Sequence, residues 1–67
     1  MENLTIAIID SGVDKMDHYR GISIYLDDNT GSYKICDDFN DQNGHGTIVA
    51  NIIESHIQCA DLFIVKI

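Results

Sequence analysis

The sequence predicts an α/β fold, because two nearly continuous apolar stretches flank a segment with helical periodicity. The first apolar run covers residues 4 to 9 and the second covers residues 61 to 67. Unbroken apolar runs are typical of parallel strands that are covered on both faces. A strand, a helix and a second strand in this order form a βαβ unit, in which the two strands lie parallel.

The first strand ends at a carboxylate. Leu4 to Ile9 is rich in isoleucine, and Asp10 follows it directly. The next segment, SGVDKMDHYRG, mixes glycine, serine and charged residues without a period, so we expect a loop at the carboxyl end of the strand. Functional side chains are often placed on such loops.

A β-hairpin is predicted in the middle of the chain. Apolar residues alternate from Ile22 to Leu26, are interrupted by the turn sequence DDNTG, and alternate again at Tyr33 and Ile35. This pattern is typical of two antiparallel strands joined by a short turn. The polar segment CDDFNDQNG then predicts a second loop, which leads to His45.

A helix is predicted over residues 45 to 56, followed by a turn at 57 to 60. The apolar residues of the segment after Gly46 fall at the spacing that places them on one helical face: Ile48, Val49, Ile52 and Ile53, with Ile57 just beyond the predicted end. Several are β-branched, which lowers intrinsic helix propensity, so packing against the sheet must supply most of the stability. We therefore expect a buried helix, and we expect the tyrosines and phenylalanines to pack in the core or on the hairpin.

Composition excludes several classes of function. Eleven acidic residues against four basic ones give a formal charge of −7, which repels nucleic-acid phosphate. No apolar run approaches the roughly 20 residues needed to span a bilayer, so we expect no membrane association. No secretory signal precedes the first strand, which favours a cytoplasmic location.

The chain is predicted to be one incomplete domain over residues 1–67. A core of this size is marginal by itself. The only cysteines, Cys36 and Cys59, are expected to be reduced thiols rather than a stabilising disulfide. One helix covers only one face of a sheet, so something outside these 67 residues is expected to cover the other.

Two motifs carry the chemistry: IAIIDSGVD around Asp10 and NGHGTIVANII around His45. Asp10 ends a buried strand, where α/β sheets present catalytic groups, and His45 opens a helix. Gly44 and Gly46 are expected to allow close approach of the backbone on either side of the histidine. Together the motifs resemble the aspartate and histidine motifs of the subtilisin-like serine proteases, in the order of that family.

The resemblance covers nearly the whole chain and implies part of a subtilisin-like parallel sheet, formed by the strand, hairpin, helix and strand. It also implies a serine-type endopeptidase acting on peptides or proteins. In such a triad a histidine takes the proton of the serine hydroxyl, and a carboxylate orients the histidine and stabilises the imidazolium. The resemblance implies that Asp10 is this carboxylate and that His45 is the general base. It implies no cofactor.

The sequence departs from the family pattern at several positions. Asn51 replaces the usual helix glycine, and residues 16 to 19 replace the His-Pro-Asp-Leu from which some relatives draw a calcium ligand, so no metal site is implied. The chain contains no Gly-Thr-Ser-x-Ala nucleophile segment and no recognisable oxyanion asparagine. Its serines are not expected to substitute for the missing nucleophile: Ser11, Ser23, Ser32 and Ser55.

We therefore expect a second polypeptide to carry the catalytic serine, and we expect the isolated chain to be inactive. A catalytically inactive binding or regulatory remnant remains the alternative.

Other classes fit less well. A phosphatase of the haloacid dehalogenase type needs a second aspartate where Gly12 stands, and a receiver domain needs an acidic pair where only Glu2 precedes the strand. The loop before His45 lacks the spacing of an EF-hand, and the histidines lack zinc-ligand spacing. Asp37 and Asp38 are most simply solvated loop carboxylates.

Overall fold

A computed structural model of the protein describes residues 4–57 and 60–67. Its elements follow one another in this order: β1 (Leu4–Asp10), a 3₁₀ turn (Met16–His18), β2 (Arg20–Asp27), β3 (Ser32–Cys36), α1 (His45–His56) and β4 (Ala60–Lys66). The α/β class and the predicted bounds of the helix are confirmed. The hairpin strand β2 begins two residues earlier than its alternation indicated, with only Tyr19 between it and the 3₁₀ turn.

The four strands form one mixed sheet in the order β1-β4-β2-β3. The two apolar strands β1 and β4 pair in parallel, as the βαβ pattern predicts. The hairpin is also confirmed, since β2 and β3 pair antiparallel. Because β2 in turn pairs parallel with β4, the hairpin extends the same sheet. The sheet is therefore mixed, and the prediction of a parallel sheet holds only for β1, β4 and β2.

The core lies between α1 and one face of the sheet. Its buried members come from the two apolar strands β1 and β4, from the helix and from the two long loops: Ile8, Leu62, Ile64, Ala50, Val13 and Phe39. The two loops are also joined through their backbones. The Val13 amide donates to the Phe39 carbonyl at 3.0 Å, and the Asp41 amide donates to the Val13 carbonyl at 2.9 Å. This bridge ties the loop after β1 to the loop that precedes α1.

The prediction of a buried helix was wrong. Val49 and Ile53 pack against the core, but Ile48 and Ile52 are each more than half exposed. The apolar stripe on α1 is wider than the surface that the sheet offers it. Spacing therefore identified the helix correctly but overstated how much of it is covered.

The sheet face opposite α1 carries no layer among the described residues. Strand register and the alternation of side chains place one set of residues on this uncovered face: Ala7, Ile9, Ile22, Ile24, Leu26, Tyr33, Ile35, Phe63 and Val65. Ile35, for example, is 68% exposed, and Tyr33 is more exposed still. The expectation that the aromatic residues are packed is therefore wrong for Tyr33, although it holds for the buried Phe39. Contiguous exposed apolar surface beyond a few hundred Å² marks an interaction site in most soluble proteins.

Two smaller predictions concern the thiols and the membrane. Cys36 is a free, half-buried thiol, whereas Cys59 and part of the predicted turn at 57 to 60 lie outside the described residues. Among residues 4–57 and 60–67, no helix is long and apolar enough to cross a membrane.

Candidate functional site

The structure brings the two predicted site residues into contact. β1 ends at Asp10 and α1 begins at His45, and the bridge between the loops holds these two ends together. The Nδ1 atom of His45 lies 3.0 Å from Oδ1 and 2.9 Å from Oδ2 of Asp10. An ionised carboxylate only accepts hydrogen bonds, so Nδ1 carries the proton in this arrangement. In the neutral ring, Nε2 is then left as the acceptor.

The surroundings of Asp10 favour its ionised form. The hydrogen bond from His45, followed by that from the Ser11 amide at 2.7 Å, holds the pKa of the Asp10 carboxyl below its ordinary value. The Asp10 side chain is 22% exposed, whereas that of His45 is 66% exposed. The carboxylate is thus sheltered behind the imidazole, and the imidazole faces outward.

Close backbone contact fixes the distance between the strand end and the helix. A Cβ atom at Gly46 would lie 2.2 Å from the carbonyl oxygen of Gly12, and a Cβ atom at Gly12 would lie 2.2 Å from that of Phe39. Gly12 also has a φ of +108°, which side-chain-bearing residues rarely adopt. The start of α1 can therefore rest on the loop after Asp10 only because both positions are glycine.

Gly44 has a different role from the predicted one, which was close approach of the backbone beside His45. Apart from its chain neighbours, no described residue has an atom within 4 Å of the position of its absent Cβ, so the predicted close approach is wrong here. Its φ of +100° instead gives the reason for glycine, since Gly44 is the N-cap of α1 in a left-handed conformation.

The first amides of α1 are capped from outside the helix, because the N-cap glycine has no side chain to do so. The Gly46 amide donates to Ser11 Oγ at 2.9 Å, and the Thr47 amide donates to Asp41 Oδ2 at 3.0 Å. The His45 amide donates to Asn43 Oδ1 at 3.3 Å. The helix that carries the imidazole is thus held by polar groups of both loops.

Asp41 is the residue that sequence reasoning missed. The sequence places it only within the polar loop CDDFNDQNG, yet its carboxylate accepts five hydrogen bonds, from Ser11 and from residues 43, 44 and 47. Burial opposes its ionisation, but the hydrogen bonds from the Thr47 hydroxyl and the Gly44 amide outweigh burial and hold the pKa of Asp41 far below its ordinary value. The sequence offers only a general signal, an acidic side chain shortly before a helix start, where negative charge is favourable; it does not indicate which contacts that side chain makes.

An open recess of about 480 Å³ lies beside the pair. It is lined by Ile9, Asp10, Ser11, Asn43, His45 and Ile67. Ile9 also belongs to the uncovered face, so the recess and that face adjoin. A polypeptide placed on the uncovered face could therefore reach the imidazole.

None of the four serines, all of which lie in the described part of the chain, hydrogen-bonds to His45. The hydroxyl of Ser11 donates to Asp41 and accepts from the Gly46 amide. Ser23 is buried in β2, Ser32 begins the edge strand β3, and Ser55 donates to a carbonyl of its own helix.

The acidic loop and the histidines form no metal centre in the part of the chain that the structure describes, since no group of three His, Cys, Asp or Glu side chains is suitably placed. Asp38 accepts a hydrogen bond from the Asn40 amide at 3.0 Å, which closes a local turn. Both Asp37 and Asp38 are exposed.

Searches against protein-family models, curated proteins and solved structures found no match to this chain.

Proposed function

We propose that this chain is the aspartate and histidine segment of a subtilisin-like serine endopeptidase, whose serine is supplied from outside these 67 residues. The contact between Asp10 and His45 Nδ1, at 2.9 and 3.0 Å, is the observation that carries the proposal. It joins the two motifs that resemble the family, although 35 positions separate them in the chain. The contact also has the geometry that an orienting carboxylate requires.

The proposed chemistry assigns each atom of the pair a task. Asp10 holds the proton of His45 on Nδ1, so that Nε2 accepts the proton of an incoming serine hydroxyl as its oxygen attacks the peptide carbonyl. The imidazolium formed in this step lies against the Asp10 carboxylate, which stabilises it. Nε2 then returns the proton to the leaving amine, and the peptide bond breaks to give an acyl-serine that water hydrolyses.

A second polypeptide is proposed as the source of the serine and of the oxyanion donors. The uncovered face supports a partner, since it adjoins the recess at His45 through Ile9. Without these groups the largest catalytic contributions are missing, so the chain by itself is not expected to cleave peptides.

The uncovered face also supports a second candidate, a catalytically inactive binding or regulatory remnant of such a protease. A sheet face of this kind can bind a partner without any chemistry at His45. In that case substitution of the histidine would leave binding unchanged.

The test begins with the coding sequence downstream, read for an open frame that encodes a Gly-Thr-Ser-x-Ala segment. The product of that frame is co-expressed with this chain, and cleavage of a fluorogenic peptide is measured. We expect cleavage that is lost in His45→Ala and retained in the control variant His56→Ala. His56 is an exposed histidine in the last turn of the same helix. Cleavage that survives His45→Ala would refute the assigned base. Stable complex formation without cleavage would favour the remnant.

A further inference from the structure

We propose that Asp41 is a positioning residue, which holds the imidazole of His45 in register with Asp10 by bonding to both the strand end and the helix start. It does not hydrogen-bond to His45 or to Asp10, so it is not a catalytic residue. The inference concerns the same site as the proposed function, but the geometry on which it depends can be measured without any protease activity.

The first set of contacts joins Asp41 to the helix that carries His45. Oδ2 accepts from the Thr47 amide at 3.0 Å and from the Thr47 hydroxyl at 2.7 Å. Oδ1 accepts from the Gly44 amide at 2.8 Å. These bonds lie on both sides of residue 45, so they fix the position and direction of the first helical turn. A carboxylate at a helix N-terminus also interacts favourably with the helix dipole.

The second contact joins Asp41 to the strand that carries Asp10. The Ser11 hydroxyl donates to Asp41 Oδ1 at 2.8 Å, and the Ser11 amide donates to Asp10 Oδ1 at 2.7 Å. The same hydroxyl accepts from the Gly46 amide at 2.9 Å. Ser11 thus connects Asp41 and the helix through its hydroxyl, and it contacts the orienting carboxylate through its backbone amide. Rotation of the strand end or of the helix start would break bonds in this network.

The network needs a carboxylate rather than an amide. Three donors meet Oδ1 and two meet Oδ2, and the Gly44, Asn43 and Thr47 amides cannot reverse their direction. An asparagine would have to place its NH₂ group against at least one of these amides, whichever way it is turned. Asp41→Asn therefore keeps the shape of the side chain but removes the pattern of acceptors.

The matched control is Asp38→Asn, in the same loop. Asp38 carries the same charge, but its only described contact is a local turn to the Asn40 amide, which an asparagine oxygen can also accept. Asp38→Asn therefore reports the effect of charge removal alone. If the acidic loop acted only through its negative charge, both substitutions would change the geometry at His45 equally.

The experiment measures solvent exchange of the His45 Nδ1 proton by NMR, on the 67-residue chain, in variants shown by circular dichroism to be folded. We expect exchange at least tenfold faster in Asp41→Asn than in the unaltered chain, and an unchanged rate in Asp38→Asn. A folded Asp41→Asn with an unchanged rate would overturn the proposal, and so would equal acceleration in Asp38→Asn.

Ser11→Ala provides a second variant if Asp41→Asn does not fold. It removes the link between Asp41 and the strand end but leaves the contacts of Asp41 to Gly44 and Thr47 in place. We expect faster exchange of the Nδ1 proton in Ser11→Ala as well, and an unchanged rate would refute the proposal. If the proposed peptidase is reconstituted, Asp41→Asn should lower kcat with little change in KM, because it disturbs the base and not the substrate groove. Absence of cleavage in every variant would count against the proposed function, while the NMR result would still decide the role of Asp41.

Discussion

Substitution of Gly46 by alanine tests the close contact that brings the helix to the strand end. The added Cβ would lie 2.2 Å from the carbonyl oxygen of Gly12, a backbone atom in a loop that is itself packed against Phe39. Insertion of a methyl group into a tight site costs about 1–3 kcal/mol, and the nearest atoms at this site are backbone atoms of Gly12, which cannot move aside as a flexible side chain can. Alanine recovers at most about 1 kcal/mol through its higher helix propensity. Because the clash is with backbone atoms, the overpacking cost lies in the upper part of this range, about 2–3 kcal/mol, so the free energy of unfolding should fall by about 1–2 kcal/mol after this recovery.

Thermal unfolding followed by circular dichroism measures this change. A loss of about 1–2 kcal/mol corresponds to a decrease in Tm of roughly 5–15 °C for a domain of this size. Asn51→Ala, on the exposed side of the same helix, should instead raise stability by a few tenths of a kcal/mol. If Gly46→Ala melts at or above the temperature of the unaltered chain, helix propensity dominates at this position and the argument for obligatory backbone contact is refuted.

Three further predictions follow from the site and the sheet. In the reconstituted peptidase, Asp10→Asn should lower kcat on the order of 10⁴-fold, since a neutral amide no longer holds the proton on Nδ1; a loss below tenfold would contradict the assigned role. The pKa values of Asp10 and Asp41 are lower in the folded chain than their ordinary values near 4. The stability that these carboxylates contribute should therefore be full above about pH 4 and decline as the pH falls below it. In acid titrations followed by circular dichroism, Asp41→Asn should flatten this decline. Ile35→Lys on the uncovered face should change the free energy of unfolding by less than about 0.5 kcal/mol, whereas Ile64→Ala in the core should lower it by about 2–5 kcal/mol. Urea titrations measure both changes, and equal losses would show that the uncovered face is buried.

The elements of the fold could be predicted because each has a strong local signal. The apolar runs of β1 and β4 and the helical spacing after His45 each indicated one element, and their order implied parallel pairing. The position of the hairpin in the sheet could not be predicted, because alternation identifies strands but not their neighbours. Ile48 and Ile52 show the corresponding limit for the helix, since spacing reveals an apolar stripe but not the width of the surface that covers it.

Some residues of the candidate site could likewise be predicted from the sequence, and others could not. Asp10 and His45 could be predicted because their motifs have characteristic neighbours and positions at a strand end and a helix start. Asp41 could not, because its importance arises from five donors that only the folded chain collects around it. For Gly44, sequence alone could not distinguish a requirement for close contact from a requirement for positive φ.

The most direct test of the central claim is nitrogen-15 NMR of the neutral His45 side chain. The account predicts a protonated Nδ1 and an unprotonated Nε2 in the unaltered chain, with loss of this preference in Asp10→Asn. A proton on Nε2 in the unaltered chain, or a tautomer that Asp10→Asn leaves unchanged, would contradict the claim that Asp10 orients His45 as a general base.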